Sequence, residues 1–171
     1  LSIKDEIISL RHNIHKWPEI AFEEYRTQEK IIEVLEKHGV EHKIAAKTGV
    51  IATINGDAPT NAVAIRADID ALSVKEETEL SFKSERSDYM HACGHDGHVA
   101  MLLVAAKILS KYKEHINGTV KFIFQPNEEE AGALDMINEG ILDEPKVDAA
   151  FGVHLWSPIE SGKIGLSAGP V

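Results

Sequence analysis

The run 98–111 constrains the fold most, because it has helical period yet is apolar on most of its circumference: Val99, Met101, Leu102, Leu103, Val104, Ala105, Ala106, Ile108 and Leu109. Such a helix has no broad face to offer water, so it must be buried by other elements. Directly before it stands Met90-His91-Ala92-Cys93-Gly94-His95-Asp96-Gly97-His98, which holds the chain's single cysteine and a carboxylate beside several histidines. Thiolate, imidazole and carboxylate are the side-chain donors to borderline metals such as zinc. Gly94 and Gly97 allow the tight turns that bring neighbouring side chains together. A loop entering a helix N-terminus also favours anionic groups, which predicts a lowered thiol pKa at Cys93.

The segments available to cover that helix alternate between helix and strand patterns. Ser2 caps a first helix, with Asp5 and Glu6 in its first turn and Ile3, Ile7, Leu10, Ile14 and Trp17 in a helical stripe ended by Pro18. His12 and His15 on this helix read as surface residues, as do His38, His42 and His115. A second helix is expected over 27–38, stopped by Gly39. Strands are expected at 41–46, at 49–56 with Asn55-Gly56 as its closing turn, and at 61–65, 118–124, 147–153 and 162–166. A helix over 131–139 stops at Gly140, and 73–89 is a polar surface loop. This order predicts an α/β fold with a mixed, largely parallel central sheet flanked by helices.

Composition narrows the partners. With 171 residues the chain has the size of one domain, and 28 acidic against 18 basic residues give a formal charge of −10. Nucleic acids and anionic membranes need clustered positive charge, so neither is expected as a partner. One cysteine leaves no internal disulfide and suits a reducing compartment. No apolar run approaches the roughly 20 residues of a membrane span. The N-terminal residues lack the apolar core of a signal peptide, so a cytoplasmic location is expected.

Three of the expected strands run into conspicuous polar residues: Asp68 and Asp70, then Glu128 and Glu129, then His154. Sites in open α/β sheets form beyond the carboxyl ends of the strands, so these residues and the cysteine-histidine loop are expected to meet. Taken singly, each has a plainer explanation. A lone cysteine is most often a small buried apolar residue, three consecutive glutamates usually face solvent, and a histidine before Leu155-Trp156 can belong to the core. Together, Cys93 with His95 reads as a ligand pair and His154 as a further ligand, while His91, Asp96 and His98 read as support.

At this level of detail the residues resemble a known family. Arg66-Ala67-Asp68-Ile69-Asp70-Ala71-Leu72, the stretch from Met90 to His98, Phe124-Gln125-Pro126-Asn127-Glu128-Glu129 and Gly152-Val153-His154-Leu155-Trp156 resemble successive signatures of the amidohydrolase branch of the zinc exopeptidases related to aminoacylase and carboxypeptidase. That branch includes hippurate hydrolases, N-acetyldiaminopimelate deacetylases and hydrolases of indole-acetyl amino acid conjugates. The resemblance implies a two-metal site with Cys93, His95, Glu129 and His154 as ligands, Glu128 as general base and Asp70 supporting the ligands. It implies two divalent ions (zinc, manganese or cobalt), and an N-acyl amino acid substrate cleaved at its amide bond.

The sequence departs from that pattern in places. Ser73 stands where the family usually has proline, Asn127 where it has alanine, and Glu130-Ala131-Gly132 shortens the usual glycine run. Family members are about twice as long. The resemblance therefore places these 171 residues in the N-terminal part of the catalytic domain. A lid and dimerisation domain, a final histidine ligand and the rest of the catalytic domain lie outside them, and the piece alone is expected to be inactive. Two other readings stand beside this one: a metal-binding or partner-binding fragment without catalysis, and a hydrolase with Cys93 as nucleophile.

Overall fold

The computed structural model describes residues 2–57 and 61–166. Helix α1 (Ile3–His15) begins where Ser2 and Asp5 exchange hydrogen bonds in a capping box, each side chain accepting the other's backbone N–H at 3.2 Å. Helix α2 (Tyr25–Lys37) ends at Gly39, whose φ of +64° reverses the chain. Strands β1 (Glu41–Ala45), β2 (Gly49–Asn55) and β3 (Ala62–Asp68) follow. After them come helix α3 (His95–Ser110), strand β4 (Thr119–Gln125), the short helix α4 (Ala133–Asn138) and strand β5 (Ala149–Gly152).

The strands form one five-stranded sheet in the order β1-β2-β4-β3-β5. The sheet is mixed, as expected. Its pairings divide evenly, however: β1-β2 and β2-β4 are antiparallel, while β4-β3 and β3-β5 are parallel. Residues alternate across it with the period of two that a pleated strand imposes. Val50, Ala52, Phe122 and Phe124 face one core with Ile31, Leu35, Val99 and Leu103 of the helices. Ile51 and Ile123 face a second, smaller core with Met136 and Ile141. Helix α3 lies within the larger core, as its apolar circumference requires, and packs on α1, α2 and the sheet.

Several expectations are revised. The Asn55-Gly56 pair does not close a hairpin, because β2 pairs with β1 and β4 and not with β3. Gly56 instead approaches the backbone before β4: its N–H donates to Gly118 O at 2.9 Å, and a Cβ would lie 1.8 Å from Ile116 O. The hairpin lies one connection earlier, between β1 and β2, where Ala46 and Lys47 adopt φ of +47° and +68°. No strand forms at 162–166, where Ile164 and Leu166 are 85% and 95% exposed without a neighbouring strand among the described residues. Residues 73–89 do form an irregular excursion, pinned at its base by paired Leu72 and Met90 backbone bonds of 3.0 Å.

Candidate metal centre

The sheet order explains why the expected residues meet. Strand β3 lies between β4 and β5, so the residues after its C-terminal end reach those after both parallel neighbours. Gly94, at φ +90°, turns the chain into α3 and makes His95 the first residue of that helix, three residues earlier than its apolar pattern suggests. His95 is fully buried. Its Nδ1 donates to Asp70, with the backbone O at 2.9 Å and Oδ1 at 3.1 Å, which leaves Nε2 as the lone-pair atom of the neutral ring.

That Nε2 is buried without a hydrogen-bond partner. Around it stand Asp68 Oδ2 at 3.6 Å, Glu128 Oε2 at 3.8 Å and Glu129 Oε1 at 3.8 Å. Donor atoms of Cys93, His95 and Glu129 all lie within 4.8 Å of one another, and so do those of Asp68, His95, His98 and His154. His154 Nε2 lies 3.3 Å from Cys93 Sγ. An uncapped lone pair facing a thiol and several carboxylates is a donor set that fits divalent cations.

The electrostatics agree. Burial disfavours a charged His95, yet the hydrogen bond to Asp70 and the charges of Asp68 and Asp70 outweigh it and raise its pKa. The field at that ring therefore attracts positive charge, whether a proton or a metal carries it. Burial likewise opposes ionisation of Asp68, but His98, His95 and Arg66 hold it below the ordinary carboxyl range. The Cys93 thiol is pushed up to about 11, by burial first and then by Glu129, Asp68 and Glu128. The helix N-terminus does not win here, contrary to expectation: anionic neighbours and desolvation dominate, and a divalent cation would reverse them.

The glutamates are presented by a left-handed kink at Asn127 (φ +51°) that leads into a single 3-10 turn over Glu128–Glu130. Glu24, entirely buried, fixes that kink by accepting the Asn127 N–H at 2.9 Å and the Thr48 hydroxyl at 2.5 Å. Gly132 packs so closely beneath it that a Cβ would lie 2.3 Å from Pro126 O. Glu129 N–H donates to Asp70 Oδ2 at 3.1 Å, so Asp70 holds both His95 and the Glu129 backbone. Glu128 is distinguished from Glu129 by Arg66, whose Nη2 lies 3.9 Å from its Oε1.

Behind the cluster, Asp96 binds His15 Nδ1 at 2.7 Å and Arg11 Nε at 3.1 Å, and His15 Nε2 lies 3.3 Å from the Glu76 carboxylate. His15 is thus a buried residue and not a surface one, since it packs against Asp96 in the first turn of α3. His91 is buried with neither ring nitrogen paired, and desolvation lowers its pKa to about 4, so it is neutral. It lines a cavity of about 580 Å³ that also borders Cys93, His154 and Trp156.

Comparison with known proteins fits this geometry. The sequence model of peptidase family M20/M25/M40 matches residues 64–169, more than half of the chain. The chain belongs to this family. Its M20 relatives include an N-acyl-L-amino acid amidohydrolase of Geobacillus stearothermophilus, 44% identical over 99% of this chain and 46% of the relative. A thermostable carboxypeptidase 1 of Saccharolobus solfataricus is 45% identical over 99% of this chain and 44% of its own length. Among solved structures, the YXEP protein of Bacillus subtilis, described as a dinuclear metal binding peptidase from the M20 family, superposes with a TM-score of 0.95. It is 41% identical, over 99% of this chain and 48% of its own. The chain thus spans less than half the length of these relatives.

Within this M20 scaffold, the residues expected from sequence come together: Cys93, His95 and Glu129 as one donor group, His154 against Cys93, and Asp70 and Glu128 on either side of His95. Asp96 and His98, expected as supports, are hydrogen-bonded to His15 and Asp68 respectively, and His98 also stands among the side chains close enough to share a cation. Arg66 and Glu24 were not singled out. Arg66 could have been, since Arg66, Asp68 and Asp70 share a period of two at a strand end; Glu24 carries no local signal.

Proposed function

We propose that this site holds two divalent cations and hydrolyses the amide bond of N-acyl amino acids. Cys93, His95, Glu129 and His154 act as ligands, Glu128 as general base and Asp70 as the group that orients His95. The observation that supports it best is the buried, unpaired His95 Nε2 facing a thiol and three carboxylates. When bound, the cations supply Lewis acidity, which activates a water and stabilises charge on the acyl oxygen. A thiol among the donors favours a borderline ion such as zinc or cobalt over magnesium.

The protein's own groups have definable tasks. Asp70 keeps the proton of His95 on Nδ1 and so keeps Nε2 free to donate its lone pair. Glu128, about one-third exposed, can reach a water at the cluster. It takes the proton of the attacking water and returns it to the leaving nitrogen as the C–N bond breaks. A carboxylate and a free amino acid result. The names of two relatives, an N-acyl-L-amino acid amidohydrolase and a carboxypeptidase, support this substrate class. The chain spans less than half the length of these relatives, so turnover is to be measured on a chain of their full length.

A thiol nucleophile is disfavoured by the same geometry. Cys93 is pushed up to about 11 and faces carboxylates, which leaves little thiolate at neutral pH. The test is metal content by elemental analysis, together with hydrolysis of N-acetyl and N-benzoyl amino acids by a chain of the relatives' full length. Chelation should abolish turnover and zinc, cobalt or manganese restore it, while Glu128→Gln should retain metal and lose about 100-fold or more in kcat. Turnover that survives complete metal removal would refute the reading, and stoichiometric metal without any hydrolysis would leave only a binding role.

A further inference from the structure

Between β3 and the segment after β5 runs a chain of hydrogen bonds that the two-metal reading does not itself require. Arg66 Nη1 donates to Asp68 Oδ2 at 2.8 Å, and Asp68 Oδ1 lies 2.5 Å from His98 Nδ1. His98 Nε2 lies 2.9 Å from the backbone N of Leu155, and the Leu155 carbonyl lies 2.6 Å from His154 Nδ1. His154 Nε2 then faces Cys93 Sγ at 3.3 Å.

The direction of every bond is forced. A backbone N–H can only donate, so His98 Nε2 accepts, and the ring carries its proton on Nδ1 and gives it to Asp68. A backbone carbonyl can only accept, so His154 carries its proton on Nδ1 and turns an Nε2 lone pair towards Cys93 and His95. Both nitrogens of His98 are therefore committed. Although His98 falls within the group of side chains close enough to share a cation, it has no lone pair left for one. Packing supports the same docking. The His98 and His154 rings meet edge to face at 4.6 Å, and Leu155 Cδ1 lies where a Cβ on Gly97 would approach within 2.6 Å.

We infer that His98 is a positioning residue: anchored by Asp68, it holds the Leu155 peptide and through it fixes the tautomer and aim of His154. This rests on the reading of His154 as a ligand. His98 and Asp68 are both nearly fully buried, so the anchor is rigid and shielded from competing water. Partners that orient a ligating imidazole typically change metal affinity about 10–100-fold when lost.

Two variants separate this role from ligation and from a general structural role. In His98→Gln the terminal amide reaches the Nε2 position and its oxygen can accept the Leu155 N–H. In His98→Asn the amide reaches only the Nδ1 position, which retains the bond to Asp68 and strands Leu155. Cobalt(II) titration of the purified protein, read from its visible and thiolate charge-transfer bands, should show His98→Gln within about threefold of wild type. His98→Asn should be weaker by about 10-fold or more, with altered bands. Equal behaviour of the two variants, whether both intact or both lost, would overturn the inference. Two-bond proton–nitrogen NMR correlations of the metal-free wild type give an independent check: His98 and His154 should both be Nδ1–H tautomers, and an Nε2–H tautomer at His98 would overturn it. A wild type that binds no cobalt, with these tautomers in place, would instead refute the metal reading and leave the hydrogen-bond relay standing.

Discussion

His15 offers the sharpest test of how the candidate centre is supported from behind. Its side chain is 3% exposed and bridges Asp96, fully buried, and Glu76, whose side chain is 2% exposed. Replacement by leucine keeps the volume and removes both nitrogens. Asp96 would then retain only Arg11, whose side chain is 41% exposed and so an imperfect substitute. Removing one partner of a buried charge pair costs about 3–5 kcal/mol, and the remaining Arg11 places His15→Leu near the low end, about 3 kcal/mol. For a chain of this size that corresponds to a fall in Tm of roughly 6–12 °C. The effect carries a pH signature. The hydrogen bond to Asp96 raises the His15 pKa above 6.5 in spite of burial, with Glu76 adding to it. The folded protein therefore binds this proton more tightly than the unfolded chain. The resulting stability is fully present below about pH 6.5 and is lost as pH rises through the folded value. Urea unfolding of wild type and His15→Leu should thus differ most at about pH 6 and converge partly at higher pH. A difference below about 1 kcal/mol at that pH, or one that is flat across the range, would refute the assignment of His15 as a buried, protonated bridge.

Three further outcomes follow from particular contacts. Glu24→Ala strands the Asn127 N–H and the Thr48 hydroxyl; it should cost about 1–3 kcal/mol per stranded group in chemical denaturation and weaken cobalt binding by loosening the turn that carries Glu128 and Glu129. Gly56→Ala drives a Cβ to 1.8 Å from Ile116 O; because that atom is backbone, the variant should lose about 3 kcal/mol or more, or fail to express as folded protein, as circular dichroism would show. Cys93→Ala should leave the fold within about 0.5 kcal/mol of wild type, since the side chain is only partly buried, while abolishing the thiolate charge-transfer band of the cobalt-loaded protein.

The larger part of the fold was legible because it rests on local periodicity. The apolar circumference of α3 required burial, and the cap at Ser2 and the stop at Gly39 lie where the residues indicate. What was not legible depends on partners distant in sequence. His15 has the surroundings of a surface residue until α3 brings Asp96 against it from 81 positions away. Asn55-Gly56 has the composition of a hairpin turn, yet β4 takes the edge of β2 that a hairpin would have used. Glu24 sits 103 positions from the turn it fixes. The candidate site was legible for a different reason: polar residues directly after apolar strands violate the local pattern, and such violations gather at functional positions.

The arrangement of the two aspartates at the C-terminal end of β3, Asp68 its last residue and Asp70 two beyond, shows why that strand occupies its place in the sheet. Asp70 reaches towards β4, where it accepts from the Glu129 backbone, and also holds His95 on α3. Asp68 reaches the other way, through His98, to Leu155 and His154 beyond β5. Only a strand flanked by both β4 and β5 can serve both sides, and the order β4-β3-β5 provides it. Three of the four candidate ligands are thus oriented from one strand, while Cys93 relies on the turn at Gly94. Asp70→Asn should therefore disturb the His95–Glu129 side and Asp68→Asn the His154 side. Cobalt spectra that change identically in the two variants would show that the aspartates act as one charge reservoir and not as separate anchors.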